Sequence, residues 1–207
     1  MQTIETDRLV LRRFQRDDAA DLLAYLREPS ASCFLSMKLA DLTAARVEAE
    51  KRGASPDYVA VILRETGRLI GDLFAVPEDQ DTYAVGWNFN PCFAGKGFAG
   101  EAAHALCEDL FVRRKARRLY AYVEEDNLAS QRLCERLGMR REGLFREFVS
   151  FRNDEHGSPI YENTMHYAIL AKEWAPGARK PPLTVLPSMS VTENREPQAA
   201  AGPTEPA

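Results

Sequence analysis

The stretch from Asn90 to Cys107, N-P-C-F-A-G-K-G-F-A-G-E-A-A-H-A-L-C, constrains the fold more than any other part of the chain. It leaves an alternating strand pattern and enters a helical one through a short turn carrying Gly95, Lys96, Gly97 and Gly100. Glycines so close together let backbone N–H groups converge with no Cβ in the way. A helix that opens at once adds free N–H groups and a partial positive end. The combination is an anion cradle suited to a pyrophosphate; the plain alternative is a turn that only joins strand to helix. A Walker loop fails, because Lys96 is followed by Gly97 instead of Ser or Thr. The spacing Gly95-x-Gly97-x-x-Gly100 does satisfy a dinucleotide fingerprint. That match falls mid-chain, however, and no acidic residue ends a strand about 20 residues further on.

The chain has 207 residues, enough for one domain with a sizeable core, and its 45% hydrophobic content excludes a largely disordered protein. A net charge of -4 argues against nucleic-acid binding, which usually goes with a basic domain. No apolar run approaches the ~20 residues of a membrane span. The opening M-Q-T-I-E-T-D-R shows no basic region followed by an apolar stretch, so a cytoplasmic protein is expected. Cys33, Cys92, Cys107 and Cys134 lack metal-type spacing and read as reduced thiols, mostly in the core; no metal is expected.

Alternation predicts a strand over Arg8–Phe14, and a helical period follows from Asp17 or Asp18 to Arg27, broken by Pro29 and Ser30. A second helix is expected from about Asp41 to Arg52, ending at Gly53. The apolar segment between them, S-C-F-L-S-M-K-L, is either core filler or a wall of a substrate site. Strands at Tyr58–Leu63, Leu69–Val76 and Thr82–Asn90, with short turns, predict an antiparallel meander. After the glycine loop come a helix from about Phe98 to Lys115, a strand at Leu119–Glu124, a helix at Asn127–Leu137 stopped by Gly138, and strands at Gly143–Phe151 and Tyr161–Leu170. The expected order is β-α-α-β-β-β-α-β-α-β-β. Seven of the 12 prolines lie between Pro176 and Pro206. Too little apolar surface surrounds them to offset ordering entropy, so residues 175–207 are expected to form a disordered tail behind a domain over 1–174.

With that order established, the chain resembles the GNAT superfamily of N-acetyltransferases, and within it the RimJ/RimL branch that acetylates ribosomal-protein N-termini. The opening T-D-R-L-V-L-R-R-F-Q-R-D-D at Thr6–Asp18 is similar to that branch's start. G-W-N-F-N-P at Gly86–Pro91, followed by A-G-K-G-F-A-G-E-A, resembles its strand and acyl-CoA loop, whose pattern Q/R-x-x-G-x-G/A is met at Gly97 and Ala99. Glu124–Gly138, with Asn127 and Ser130, resembles its N-x-x-S element, and Tyr167–Leu170 with Glu173-Trp174 its close.

The resemblance implies an α+β GNAT fold, a mixed and mostly antiparallel sheet flanked by helices. It implies an enzyme that moves an acetyl group from acetyl-CoA to a primary amine, either a protein N-terminus or a small molecule; a homodimer is allowed. Asn88, Phe89 and Asn90 would pair with the pantetheine arm, and Gly95, Lys96, Gly97, Phe98, Ala99 and Gly100 would hold the pyrophosphate. Asn127 would contact pantetheine, with a plain helix N-cap as its other reading. Ser130 would be the acid beside the CoA sulfur, or an ordinary first-turn serine. Three positions depart from the family. Ala94 replaces the loop's Gln or Arg, for which Lys96 could compensate. Cys134 replaces an acid tyrosine and reads as core. Ala84 replaces a strand glutamate, which leaves Glu147 as the expected base. These departures keep open a second reading, a non-catalytic CoA-binding module. Tyr161, His156 and His166 are further polar candidates. Trp87 and Phe89 read as core, and the basic run Arg113–Arg118 as a favourable helix C-terminus.

Overall fold

The computed structural model describes residues 2–174; the expected tail lies outside the described residues. The chain forms strands β1 (Ile4–Glu5) and β2 (Leu9–Arg12), helices α1 (Ala19–Leu26) and α2 (Leu42–Ala54), and strands β3 (Tyr58–Leu63), β4 (Leu69–Glu78) and β5 (Thr82–Phe89). Helix α3 (Phe98–Glu108), β6 (Arg118–Glu124), α4 (Leu128–Arg136), β7 (Arg140–Asn153) and β8 (Pro159–Leu170) follow. The expected order holds, with one addition: the short β1 pairs with β2 ahead of it. Helix α3 is shorter than expected, because its last turn widens into a π-turn over Asp109–Arg113.

The sheet runs β1-β2-β3-β4-β5-β6-β8-β7 and is antiparallel everywhere except between β5 and β6. Strands β4 and β5 pair along eight positions, from Glu78↔Thr82 to Gly71↔Phe89, and β6 and β8 along seven, from Arg118↔Leu170 to Glu124↔Thr164. By contrast the β5–β6 ladder holds only Thr82↔Arg118, Tyr83↔Leu119 and Ala84↔Tyr120. The molecule is thus two antiparallel half-sheets joined by three parallel pairs. Both joining strands run on past the last pair in the same direction and make a fork.

The core follows the strand period of two. On β3, Val59, Val61 and Leu63 join α3 and α4 residues such as Ala102, Leu106 and Leu133 on one side. Ala60 and Ile62 join α1 and α2 residues such as Leu22, Leu26 and Ala49 on the other. Helix α2 docks through small residues and a buried ion cluster. Arg52, 1% exposed, pairs with Asp72 at 3.1 Å and with Glu48 at 2.8 Å, and the Tyr25 hydroxyl donates to Asp72 at 2.6 Å. Gly53 does not stop this helix, which runs to Ala54. A Cβ there would stand 2.7 Å from the Phe14 carbonyl oxygen, so the glycine serves close packing.

Candidate active site

The fork between β5 and β6 opens into a cavity of about 1080 Å³. The loop after β5 turns through a short 3-10 turn, Pro91–Phe93, capped by Asn90, whose side-chain oxygen accepts from the Cys92 N–H. Gly95 (φ 75°) and Gly97 (φ 80°) then take left-handed conformations that side chains rarely adopt. Gly97 is the N-cap of α3 and has no side chain to cap it. The first helical bond runs from the Glu101 N–H to the Gly97 carbonyl. The amides of Phe98, Ala99 and Gly100 precede that bond and are the helix's orphan donors. Around Gly95 and Gly100 nothing stands within 4 Å of where a Cβ would be. A bare helix N-terminus beside open space fits an anion such as a pyrophosphate.

What holds this loop is a residue set that sequence reasoning missed. The Arg8 guanidinium donates to the Lys96 carbonyl at 2.9 Å, pairs with Glu101 at 2.7 Å and lies over the Phe98 ring at 4.6 Å. The Thr6 hydroxyl also donates to Glu101 at 2.6 Å. Burial alone would raise the Glu101 carboxyl pKa, but the bonds from Thr6 and Arg8 hold it below the usual range. The signal was present in the opening Thr6-x-Arg8.

The other arm of the fork ends in α4. Asn127 caps it, accepting from the Ser130 N–H at 3.1 Å, as its structural reading expected, while its side-chain amide reaches Glu124 at 3.4 Å. The Ser130 hydroxyl accepts a hydrogen bond from the Trp87 indole N–H at 3.1 Å. Trp87 packs against the core, as expected, and its indole N–H, covered there, finds its partner in the serine. The bond bridges β5 and α4 across the fork and leaves the serine's own proton free to donate.

A second cavity of about 340 Å³ adjoins the first. Phe34, Trp87, Glu124, Asn127 and Ser130 line both and mark the junction. The segment Ser32–Met37, a 3-10 helix, supplies Phe34 to both cavities and is a wall, not core; none of its residues is buried. Ser32 ties it across the mouth by donating to Glu162 at 2.5 Å. The Cys33 thiol is pushed well up, first by burial and then by the Glu124 carboxylate.

The expected site residues divide as follows. Asn88, Phe89, Gly95, Gly97, Phe98, Ala99, Gly100, Asn127 and Ser130 line the larger cavity together. Asn90 and Lys96 do not: the Asn90 side chain caps its own turn, and the Lys96 ammonium lies over the Phe93 ring at 5.7 Å. Arg136 of α4, unremarked in the sequence, lines the cavity. Glu147 is not brought to the site. It sits exposed on a bulge of β7 with φ 46°, its N–H donating to Asn163, and lines neither cavity. The carboxylate that does face both cavities is Glu124, 6% exposed.

Cys134 is fully buried, as its core reading expected, and its thiol pKa is raised, first by burial. His166 lies among aromatic rings off the cavities, held below its usual pKa by burial and by Arg118, and His156 and Tyr161 are exposed. The basic run is absorbed locally. Arg113 and Arg114 pair with Asp109, Arg117 donates to the Gln80 carbonyl, and Arg118 pairs with Glu142. Among the described residues no helix is long and apolar enough to cross a membrane.

Residues 8–140 match the acetyltransferase (GNAT) domain. The chain belongs to the GNAT acetyltransferase family. It is 31% identical over 173 residues to the uncharacterized N-acetyltransferase YnaD of Bacillus subtilis, across 83% of this chain and 98% of the relative. A crystal structure of a GNAT-family acetyltransferase from Bacillus anthracis superposes with a TM-score of 0.74 at 28% identity, covering 83% of this chain and 100% of that one. RimJ of Mycobacterium smegmatis, solved in complex with CoA-disulfide, shares the fold at a TM-score of 0.61 and 17% identity, over 80% and 83% of the two chains. The GNAT fold expected from sequence is the fold observed, and the chain is an acetyltransferase, which sets the binding-module reading aside. GNAT acetyltransferases take their acetyl group from acetyl-CoA.

Proposed function

We propose that this GNAT enzyme binds acetyl-CoA in the larger cavity and acetylates a primary amine that reaches the junction from the smaller one. The observation that carries the reading is the uncapped α3 N-terminus, with left-handed Gly95 and Gly97, at the root of an open strand fork. The amides of Phe98, Ala99 and Gly100 would receive the pyrophosphate, and Arg136 would add charge. The free edge of β5 at Asn88 and Phe89 would pair with the pantetheine arm. When bound, acetyl-CoA supplies the thioester whose acetyl group is transferred. The likeness of its motifs and fold to RimJ supports descent from the RimJ/RimL branch and leaves the acceptor, peptide N-terminus or small amine, open.

Acetyl transfer needs a neutral amine and a protonated leaving sulfur. Glu124 takes the base role expected of Glu147, because it faces both cavities at their junction while Glu147 faces neither. Glu124 accepts the proton that the ammonium loses. The amine nitrogen then bonds to the acetyl carbon as the carbon–sulfur bond breaks. Ser130, its oxygen already accepting from Trp87, gives its proton to the departing sulfur, which leaves as the thiol, and the proton that the acylated nitrogen sheds restores the serine hydroxyl.

The test is thiol release from acetyl-CoA in the presence of primary amines. Ser130→Ala lowers kcat by about 10²-fold with acetyl-CoA affinity unchanged, the usual scale for a positioned proton donor. Glu124→Gln lowers kcat/KM while Glu147→Gln does not. A Ser130→Ala enzyme with full kcat, where chemistry limits turnover, refutes the acid role. Loss of activity in Glu147→Gln returns the base to β7.

A further inference from the structure

The smaller cavity carries chemistry of its own. At about 340 Å³ it is near the lower end of small-molecule sites, which span ~300–1,000 Å³. Its walls include Phe34, Phe74, Tyr122 and Phe148. Part of this wall is built in: a Cβ at Gly86 would fall 2.1 Å from the Phe74 ring, so only glycine lets that ring seat there. Toward solvent, Tyr122 and Phe148 are each 51% exposed, with ring centroids 5.7 Å apart.

The polar groups gather at the inner end. Asn127 and Ser130 are committed to each other and to Trp87. Glu124 and Thr164 keep capacity for a ligand: the Glu124 carboxylate takes only a long bond from the Asn127 amide at 3.4 Å and a contact from the Cys33 thiol. They oppose one another in the β6–β8 ladder, which puts their side chains on one face with Cβ atoms ~4.5–5.5 Å apart. Tyr122, two residues before Glu124, shares that face. The Thr164 hydroxyl oxygen is buried with no hydrogen-bond partner. A buried hydroxyl without a partner is costly, and a ligand that pairs with it removes the cost. A carboxylate and a free hydroxyl side by side call for a cation with at least two N–H donors, and an ammonium group meets that demand.

We infer that the acceptor is a small primary amine with an aromatic or branched aliphatic body. Its nitrogen lies at Glu124 and Thr164, and its body rests on Tyr122 and Phe148. The inference rests on the acetyl-transfer reading above and names the acceptor that reading leaves open. A peptide fits poorly, because each of its residues brings an N–H and a C=O that need partners, and the polar groups of this cavity sit at its inner end only.

The experiment measures thiol release at saturating acetyl-CoA with 2-phenylethylamine, isoamylamine, spermidine and a hexapeptide with a free N-terminal alanine. The first two are expected to exceed the others in kcat/KM by at least tenfold. Phe148→Ser, at a half-exposed position, is expected to raise KM for 2-phenylethylamine about tenfold, the scale of losing one aromatic contact. The KM for acetyl-CoA stays unchanged. Preference for spermidine or the hexapeptide, or a Phe148→Ser enzyme with unaltered KM for 2-phenylethylamine, overturns the inference and leaves acetyl transfer standing. A protein that binds acetyl-CoA but releases no thiol with any of the four amines overturns both.

Discussion

Gly100 separates the anion cradle from the fold's own needs. It is the third residue of α3, has no positive φ, and points at space where no atom lies within 4 Å of where a Cβ would stand. A side chain there strains nothing. Glycine is the poorer helix former by about 0.5–1 kcal/mol against alanine, and leucine is close to alanine. Gly100→Leu is therefore expected to raise the unfolding free energy by about 0.5 kcal/mol, while its side chain fills the cavity beside the Phe98–Gly100 amides. Acetyl-CoA affinity is expected to fall at least tenfold, about 1.4 kcal/mol. Opposite signs in the two readouts are the signature, since a variant that merely damages the fold loses both. Urea unfolding gives the first and calorimetric titration with acetyl-CoA the second. Gly97→Ala is the control, because the residue sits at φ 80°: it is expected to lose about 1–2 kcal/mol of stability. If Gly100→Leu binds acetyl-CoA like the parent, the α3 N-terminus is only a connector and the cradle reasoning is wrong.

Arg52→Met removes the partner of a fully buried carboxylate and is expected to cost about 3–5 kcal/mol in urea unfolding, with Asp72→Asn in the same chain recovering part of it; a cost below 1 kcal/mol would show that Asp72 is satisfied without it. Glu101 has a folded pKa held below its unfolded value of about 4.3, so it stabilises above that value and the gain is lost as pH falls through the lower folded value. Melting temperature against pH should therefore fall less steeply below about pH 4 in Glu101→Gln than in the parent, and equal slopes would refute the coupling.

Most of the element order was legible, because β6 carries plain alternation, β3 and β4 are short apolar runs bounded by turn residues, and α3 follows a turn only glycine can make. The failures have physical causes. Glu147 was expected as the base by elimination, as a carboxylate on the strand after α4, but the register slips between Phe145 and Val149 and the extra residues at the bulge turn Glu147 outward. Periodicity cannot carry a face across an insertion whose backbone the sequence does not announce. Glu124 was visible only as the end of a strand. Its role depends on Cys33 and Phe34 packing from ninety residues earlier, a tertiary fact with no local pattern. Trp87 packs on the core as alternation suggests, but alternation treats an indole as apolar and does not show the partner of its N–H.

The fork itself explains why these residues meet. A ladder continuing past Ala84 and Tyr120 would close the space between β5 and β6 and leave Trp87 nothing to bridge. Pairing on the outer edges resists that closure, since β5 is held by β4 to Phe89 and β6 by β8 to Glu124. Glu124 ends β6, and three residues later Asn127 starts α4 instead of another strand residue, which leaves that arm no further backbone to offer β5. The first turn of α4 then carries Ser130 back toward Trp87, and their hydrogen bond sets the distance between the two arms. The proposed proton donor is thus fixed by the same contact that spans the gap, so a change at Trp87 should alter the position of Ser130 before it alters the core. In this architecture the width of the fork and the placement of the acid are one structural variable.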